Sequence, residues 1–146
     1  MTTITRNADA IWRGDLRGGE GTFSTESRAL NEQPYNFRTR FENEPGSNPE
    51  EVIAAAHAAC FSMAFAGTLT SKGYQPESIQ TNATCIMVSK QSGGFEIVGM
   101  QLKVRGSVPD LDEATFKRIA AEADEGCPVS NLLRCGLKIE IEASLL

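Results

Sequence analysis

The sequence has no CxxC pair, no cluster of basic residues, no apolar stretch at its start and a single histidine, His57. The spacing of its four cysteines, Cys60, Cys85, Cys127 and Cys135, excludes a zinc ribbon or a thioredoxin-type motif. Fourteen basic residues against nineteen acidic ones leave a net charge of −5, with the cations scattered. Nucleic acid is therefore not an expected partner, because binding it takes a concentrated cationic footprint. The opening MTTITRNADA is too polar for the apolar core of a secretory signal. The most apolar run, residues 52–67, is interrupted by His57 and falls short of the roughly 20 residues of a membrane span. These absences lead to the expectation of a cytoplasmic protein with no membrane partner. In that reducing compartment a disulfide is catalytic or sensory rather than structural.

What is present reads as one domain, residues 1–146, with 40% apolar and 23% charged residues, as in ordinary globular chains. No repeat, low-complexity tract or long linker divides it. DAIWRGD and GTFSTES read as short strands around the loop GGEG, and YNFRTRFE alternates well enough to predict a third strand carrying Arg38 and Arg40 on one face. SIQTNATCIMVSK and FEIVGMQLKVRGSV predict two strands joined by a turn at Gly93-Gly94. LDEATFKRIAAEADEG predicts an amphipathic helix with Phe116, Ile119, Ala120 and Ala123 on its inner face. CPVSNLL predicts a short helix with Cys127 at its N-cap and Pro128 in its first position, and GLKIEIEASL a closing strand. This order predicts an α+β fold with a mostly antiparallel sheet.

NPEEVIAAAHAACFSMAFAG holds the densest information. Asn48 is a good N-cap, Pro49 suits the first helical position and Glu51 stands where a capping box needs it. The helix should run to about Ser71 and stop at Gly73. It is apolar on almost every face, which predicts enclosure, and a second copy of the chain is expected to supply part of the cover.

Inside that helix His57 and Cys60 stand one turn apart. A cysteine nucleophile works as its thiolate, which needs a nearby cation or a helix start. Cys60 lies about 18 Å beyond Asn48 along the axis, too far for the helix dipole, and burial would raise its pKa. The activating cation must come from elsewhere, and the Arg38/Arg40 segment, held by Glu50, is the best source. Cys127, at a helix start, is a low-pKa thiol and a good leaving group. Cys85 and Cys135, on a strand and at a strand start, are expected to pack as small apolar residues. His57 reads first as a core or interface histidine; a Cys–His hydrolase or a metal site built on H-x-x-C is the weaker reading.

NPEEVIAAAHAACFSMA, the later GCPVSNLL and the upstream LNEQPYNFRTRFE together closely resemble the OsmC branch of the OsmC/Ohr family, and the likeness runs over nearly the whole chain. The resemblance implies a stress-response antioxidant, a thiol-dependent peroxidase that reduces organic hydroperoxides with no cofactor and no metal. It implies an intertwined homodimer in which the sheet wraps long buried central helices, with the active site at the dimer interface. By motif, Cys60 is the thiol that attacks the peroxide and becomes a sulfenic acid, and Cys127 resolves it as a disulfide. Arg40 of TRFE steadies the thiolate and Glu50 of NPEE orients that arginine. A dithiol, such as a lipoyl-bearing protein, is the implied reductant.

An apolar cleft lined by Phe61, Met63 and Phe65 would favour bulky alkyl hydroperoxides. The alternative is a non-catalytic redox sensor or small-ligand module on the same scaffold. A third reading is a structural dimer whose cysteines only pack.

Overall fold

The computed structural model describes residues 1–136, so the expected closing strand lies outside the described residues from position 137 onward. The chain divides into two compact units, Met1–Ile53 and the remainder from Ala54, with the division inside one helix.

The first unit is a three-stranded antiparallel sheet in the order β1 (Ala8–Arg13), β2 (Glu20–Thr25), β3 (Gln33–Asn36). Gly21 of β2 lies opposite both Trp12 and Tyr35. A Cβ at that position would stand 2.5 Å from Ile11 O and 2.9 Å from each ring, so only glycine fits there. The Trp12 and Tyr35 rings meet over it, their centroids 5.4 Å apart, a favourable aromatic separation.

The predicted third strand is corrected after its second residue. Asn36 ends β3 and caps a short helix, α1 (Phe37–Phe41). Asn36 Oδ1 accepts from the Arg38 and Thr39 N–H groups at 2.8 and 3.0 Å, and Thr39 Oγ1 accepts from the Asn36 N–H at 3.0 Å. This reciprocal cap satisfies donors that a strand would have left to a ladder, and the local bonds override the alternation. Arg38 and Arg40 are thus two positions apart on a helix and do not share a face. Arg38 pairs with Glu44 at 2.8 Å.

The long helix α2 (Pro49–Ser71) starts and stops where expected, with only the Asn48 half of the capping box formed. Asn48 Oδ1 accepts from the Glu51 N–H at 2.8 Å, and Gly73, at φ 90°, lets the Tyr74 N–H reach back to Leu69 O at 3.0 Å. With 23 residues it spans about 35 Å. Length and composition alone would let it cross a membrane, a test that the core helix of a soluble protein also passes. It crosses the division between Ile53 and Ala54. Its buried residues, His57, Phe61, Phe65 and Leu69, recur every four positions and form one stripe. On another face of the helix Met63 is 81% exposed.

The second unit adds β4 (Ser78–Ser89) and β5 (Phe95–Ser107), an antiparallel pair turned by Gly93 and Gly94 at φ 90° and 83°. A bulge at Ile86/Met87 shifts its register. Then come α3 (Glu113–Gly126), capped by Asp112, and α4 (Pro128–Cys135), capped by Cys127. Phe61, Phe65 and Leu69 of α2, Ile119 and Ala123 of α3, and Cys127 form the core of this unit. Phe116 adds an edge-on contact to Phe65 at 4.9 Å between centroids. The largest completely buried aliphatic or aromatic side chains among them, Phe65, Leu69 and Ile119, each contribute about 1.5–3 kcal/mol by leaving water. Cys135 ends α4 and is exposed, where a strand start had been expected.

Candidate active site

Each unit holds one pair of the candidate residues. In the first, the N-terminal turn of α2 presents Glu50 to Arg40 of α1. The carboxylate accepts from Arg40 Nη2 at 2.9 Å and from Nε at 3.0 Å. Glu50 has a side chain only 12% exposed, against 38% for Arg40. The fork of two N–H donors on one carboxylate fixes the guanidinium plane. Its carbon also lies 4.9 Å from the centre of the Phe41 ring. Around Arg40, Trp12, Leu16, Tyr35, Phe37 and Phe41 line a cavity of about 430 Å³. A fixed cation beside aromatic walls suits an anionic or polarised group attached to an apolar body.

In the second unit, α2 and the start of α4 bring Cys60 and Cys127 together. Their Sγ atoms are 3.5 Å apart and both thiols are free. Cys60 is half-buried, whereas Cys127 has no exposed surface. Burial is the largest influence on Cys60, raising its pKa. A hydrogen bond from the Val129 N–H opposes it, and the neighbouring Cys127 raises it further. Burial also pushes Cys127 up, but there the N–H and hydroxyl of Ser130, the thiol of Cys60 and the Val129 N–H outweigh it. The net direction for Cys127 is below the ordinary thiol value. Cys127 stands at the N-cap of α4 with Pro128 in the first helical position, and the free N–H groups of a helix start favour negative charge there. Within this unit a negative charge therefore rests more easily on Cys127 than on Cys60.

His57 is 4% exposed, and its Nε2 lies 2.8 Å from Ser130 Oγ. Burial is the main cause of its lowered pKa; Asp124 raises it and Arg134 lowers it. Ser130 is the residue that sequence reading missed. Its signal was available: Cys127 and Ser130 share the three-residue spacing of His57 and Cys60, so each pair occupies one helix face.

The expected cleft is corrected. Phe65 is fully buried in the core and Met63 faces outward. Phe61 does line a cavity of about 570 Å³, with His57, Met100, Leu102 and the Asp124–Arg134 ion pair among its walls. Among the described residues, no group of three or more His, Cys, Asp or Glu is arranged to hold a metal ion.

The family model for OsmC-like protein matches residues 41–142, taking in both cysteines and Glu50 and beginning one residue after Arg40. Peroxiredoxin OsmC of Escherichia coli (strain K12) is 47% identical over 140 residues, spanning 96% of this chain and 97% of that protein. The chain belongs to the OsmC-like family. Within the OsmC/Ohr grouping it stands on the OsmC branch: organic hydroperoxide resistance protein OhrB of Bacillus subtilis (strain 168) is 28% identical over 127 residues, covering 86% and 91% of the two chains. Among solved structures, the organic hydroperoxide resistance protein OsmC of Legionella pneumophila superposes with a TM-score of 0.70 at 23% identity, covering 92% of this chain and 93% of that one. That likeness carries the fold, an α+β arrangement of antiparallel sheets and helices.

Proposed function

We propose that this OsmC-like chain is a peroxidase that reduces organic hydroperoxides to alcohols through Cys60 and Cys127. The observation that carries the reading is the pair of free thiols 3.5 Å apart, one half-buried and one sealed. Cys60 is the half-buried member of the pair and Cys127 the sealed one, so we assign Cys60 as the nucleophile. Its thiolate attacks the distal peroxide oxygen; an S–O bond forms, the O–O bond breaks, and the alkoxide takes a proton to leave as the alcohol. Cys127 Sγ then attacks Cys60 Sγ; an S–S bond forms, the S–O bond breaks, and hydroxide takes a proton to leave as water. A dithiol reductant, for which a lipoylated protein is suitable chemistry, returns both sulfurs to thiols.

Burial raises the Cys60 thiol, so its thiolate needs a cation that Cys127 does not offer. We assign that role to Arg40, with Glu50 holding the guanidinium by its two short hydrogen bonds. The aromatic cavity around Arg40 supplies apolar surface for the organic part of the substrate. We read residues 1–146 as one functional domain working in the cytoplasm, as an intertwined homodimer whose sheets wrap paired central helices. Support for the dimer comes from the apolar surface this chain leaves open, notably Met63 at 81% and Val98 at 55% exposure.

The test is a turnover assay with cumene hydroperoxide and dihydrolipoic acid. Wild type should turn over repeatedly, Cys60→Ser should be inactive, and Cys127→Ser should stop after one equivalent. One oxidation without repeated turnover in the wild type would favour a redox sensor on the same scaffold.

A further inference from the structure

His57 is buried and takes no part in the chemistry above. Its surroundings form two rungs. On α2, His57 and Cys60 lie three residues apart on one face. Across from them, Ser130 and Cys127 hold the same spacing at the start of α4. One rung is Cys60 Sγ to Cys127 Sγ at 3.5 Å, the other His57 Nε2 to Ser130 Oγ at 2.8 Å. Ser130 stands three residues after Cys127 at the start of α4, the spacing that puts two side chains on one face, and its hydroxyl favours the Cys127 thiolate.

Proton bookkeeping orders this cluster. A serine hydroxyl has one proton to donate and two lone pairs to accept with. When Cys127 carries a negative charge, that proton points at its sulfur. Ser130 Oγ must then accept from His57, which places the imidazole proton on Nε2. Nδ1 becomes a bare lone pair, and Nδ1 is one of two buried side-chain atoms among the described residues with no hydrogen-bond partner. The imidazole is kept neutral chiefly by burial. The charged groups that face it are Asp124 of α3 and Arg134 of α4, paired with each other, while β5 presents the uncharged Gly99, Met100 and Leu102. A histidine present only to fill space would be better replaced by an apolar side chain that leaves no nitrogen unpaired.

We propose that His57 is a positioning residue for the resolving cysteine: by donating from Nε2 to Ser130 Oγ it aims the serine proton at Cys127 Sγ and so governs how readily the resolving thiolate forms. The inference rests on the peroxidase reading for its catalytic meaning. In the resolving step the Cys127 sulfur lone pair forms the S–S bond, the S–O bond of the Cys60 sulfenic acid breaks, and the departing hydroxide takes a solvent proton.

The first measurement needs no peroxide. In a chain carrying Cys60→Ser, Cys85→Ser and Cys135→Ser, the thiolate absorbance of Cys127 is titrated with pH. Adding Ser130→Ala or His57→Leu should raise the midpoint by about one pH unit, a tenfold loss of thiolate near neutrality. His57→Gln, which keeps an N–H donor, should return it toward the parent value. The second measurement follows one turnover in the chain with all four cysteines. Ser130→Ala should slow disulfide closure by about threefold, because the more basic sulfur recovers part of the loss in nucleophilicity. Sulfenic acid formation at Cys60 should not slow.

A midpoint unmoved by Ser130→Ala overturns the proposal, as does His57→Gln behaving like His57→Leu. Should His57→Leu fail to fold, Ser130→Ala, which deletes one oxygen, decides the matter. If wild type forms neither sulfenic acid nor disulfide with hydroperoxide, the peroxidase reading fails, and the titration still judges the relay.

Discussion

Oxidation by one equivalent of cumene hydroperoxide should make the chain markedly harder to melt. The two sulfurs start 3.5 Å apart and a disulfide holds them at about 2.05 Å, so closure moves them together by about 1.5 Å, within reach of side-chain rotation. The bridge joins positions 67 residues apart. Loop-closure entropy for such a ring removes about 14–15 cal/mol/K from the unfolded chain, or about 4 kcal/mol near room temperature. At about 2–4 °C per kcal/mol for a chain of this size, Tm should rise by about 8–16 °C. Differential scanning calorimetry on reduced and oxidised protein measures the shift, and mass spectrometry confirms the loss of two hydrogens. Cys60→Ser, treated identically, should not move. The reasoning is refuted if the bridged protein melts no higher than the reduced one, or if the mass rises by oxygen atoms without any two-hydrogen loss in the wild type.

Glu50→Gln should lower kcat/KM by about ten- to a hundredfold through a misaimed guanidinium. The ion pair is partly exposed, so its loss should cost at most about 1 kcal/mol of stability; a large fall in Tm with intact activity would reverse the assignment. The apolar walls around Arg40 predict a higher kcat/KM for cumene hydroperoxide than for hydrogen peroxide, and near-equal values would remove that role from them. His57 sits below its ordinary value of 6.5 in the folded chain. Between the lowered value and 6.5 the unfolded chain binds a proton that the folded one does not, so stability rises with pH there and is lost on acidification. Urea titrations across that range should show a slope that His57→Gln flattens.

Local signals made much of the fold legible. Asn48, Pro49 and Gly73 bracketed α2 because caps and stops act within a few residues, and the Gly93-Gly94 pair marked the β4–β5 turn for the same reason. The segment at Asn36 misled because two patterns competed. The alternation of Tyr35, Phe37 and Phe41 suggested a strand, while the Asn36–Thr39 hydrogen bonds, worth more to the local backbone, made a helix. The wide apolar surface of α2 suggested full enclosure, yet among the described residues its buried positions form a single stripe through Phe61 and Phe65. In the candidate site, composition marked Cys60 as a thiol in need of a cation and Cys127 as a helix cap. Their pairing was one reading of a thiol at a helix start and became definite only through motif resemblance, since contact between residues 67 apart leaves no trace in spacing. The His57–Ser130 contact escaped for that reason too, although each half repeats every third residue.

The sealing of Cys127 has a consequence for how the cycle is reset. With no solvent-accessible surface, that sulfur offers no approach line to an incoming thiol carried on another macromolecule. If the bridge closes there, the reductant must strike the Cys60 side, becoming covalently attached to α2 and expelling Cys127 as the departing anion. Thiol exchange is fastest when the expelled sulfur is the more acidic one, and Cys127 is that sulfur. Concealment and acidity thus select a single regiochemistry, with the transient adduct confined to Cys60.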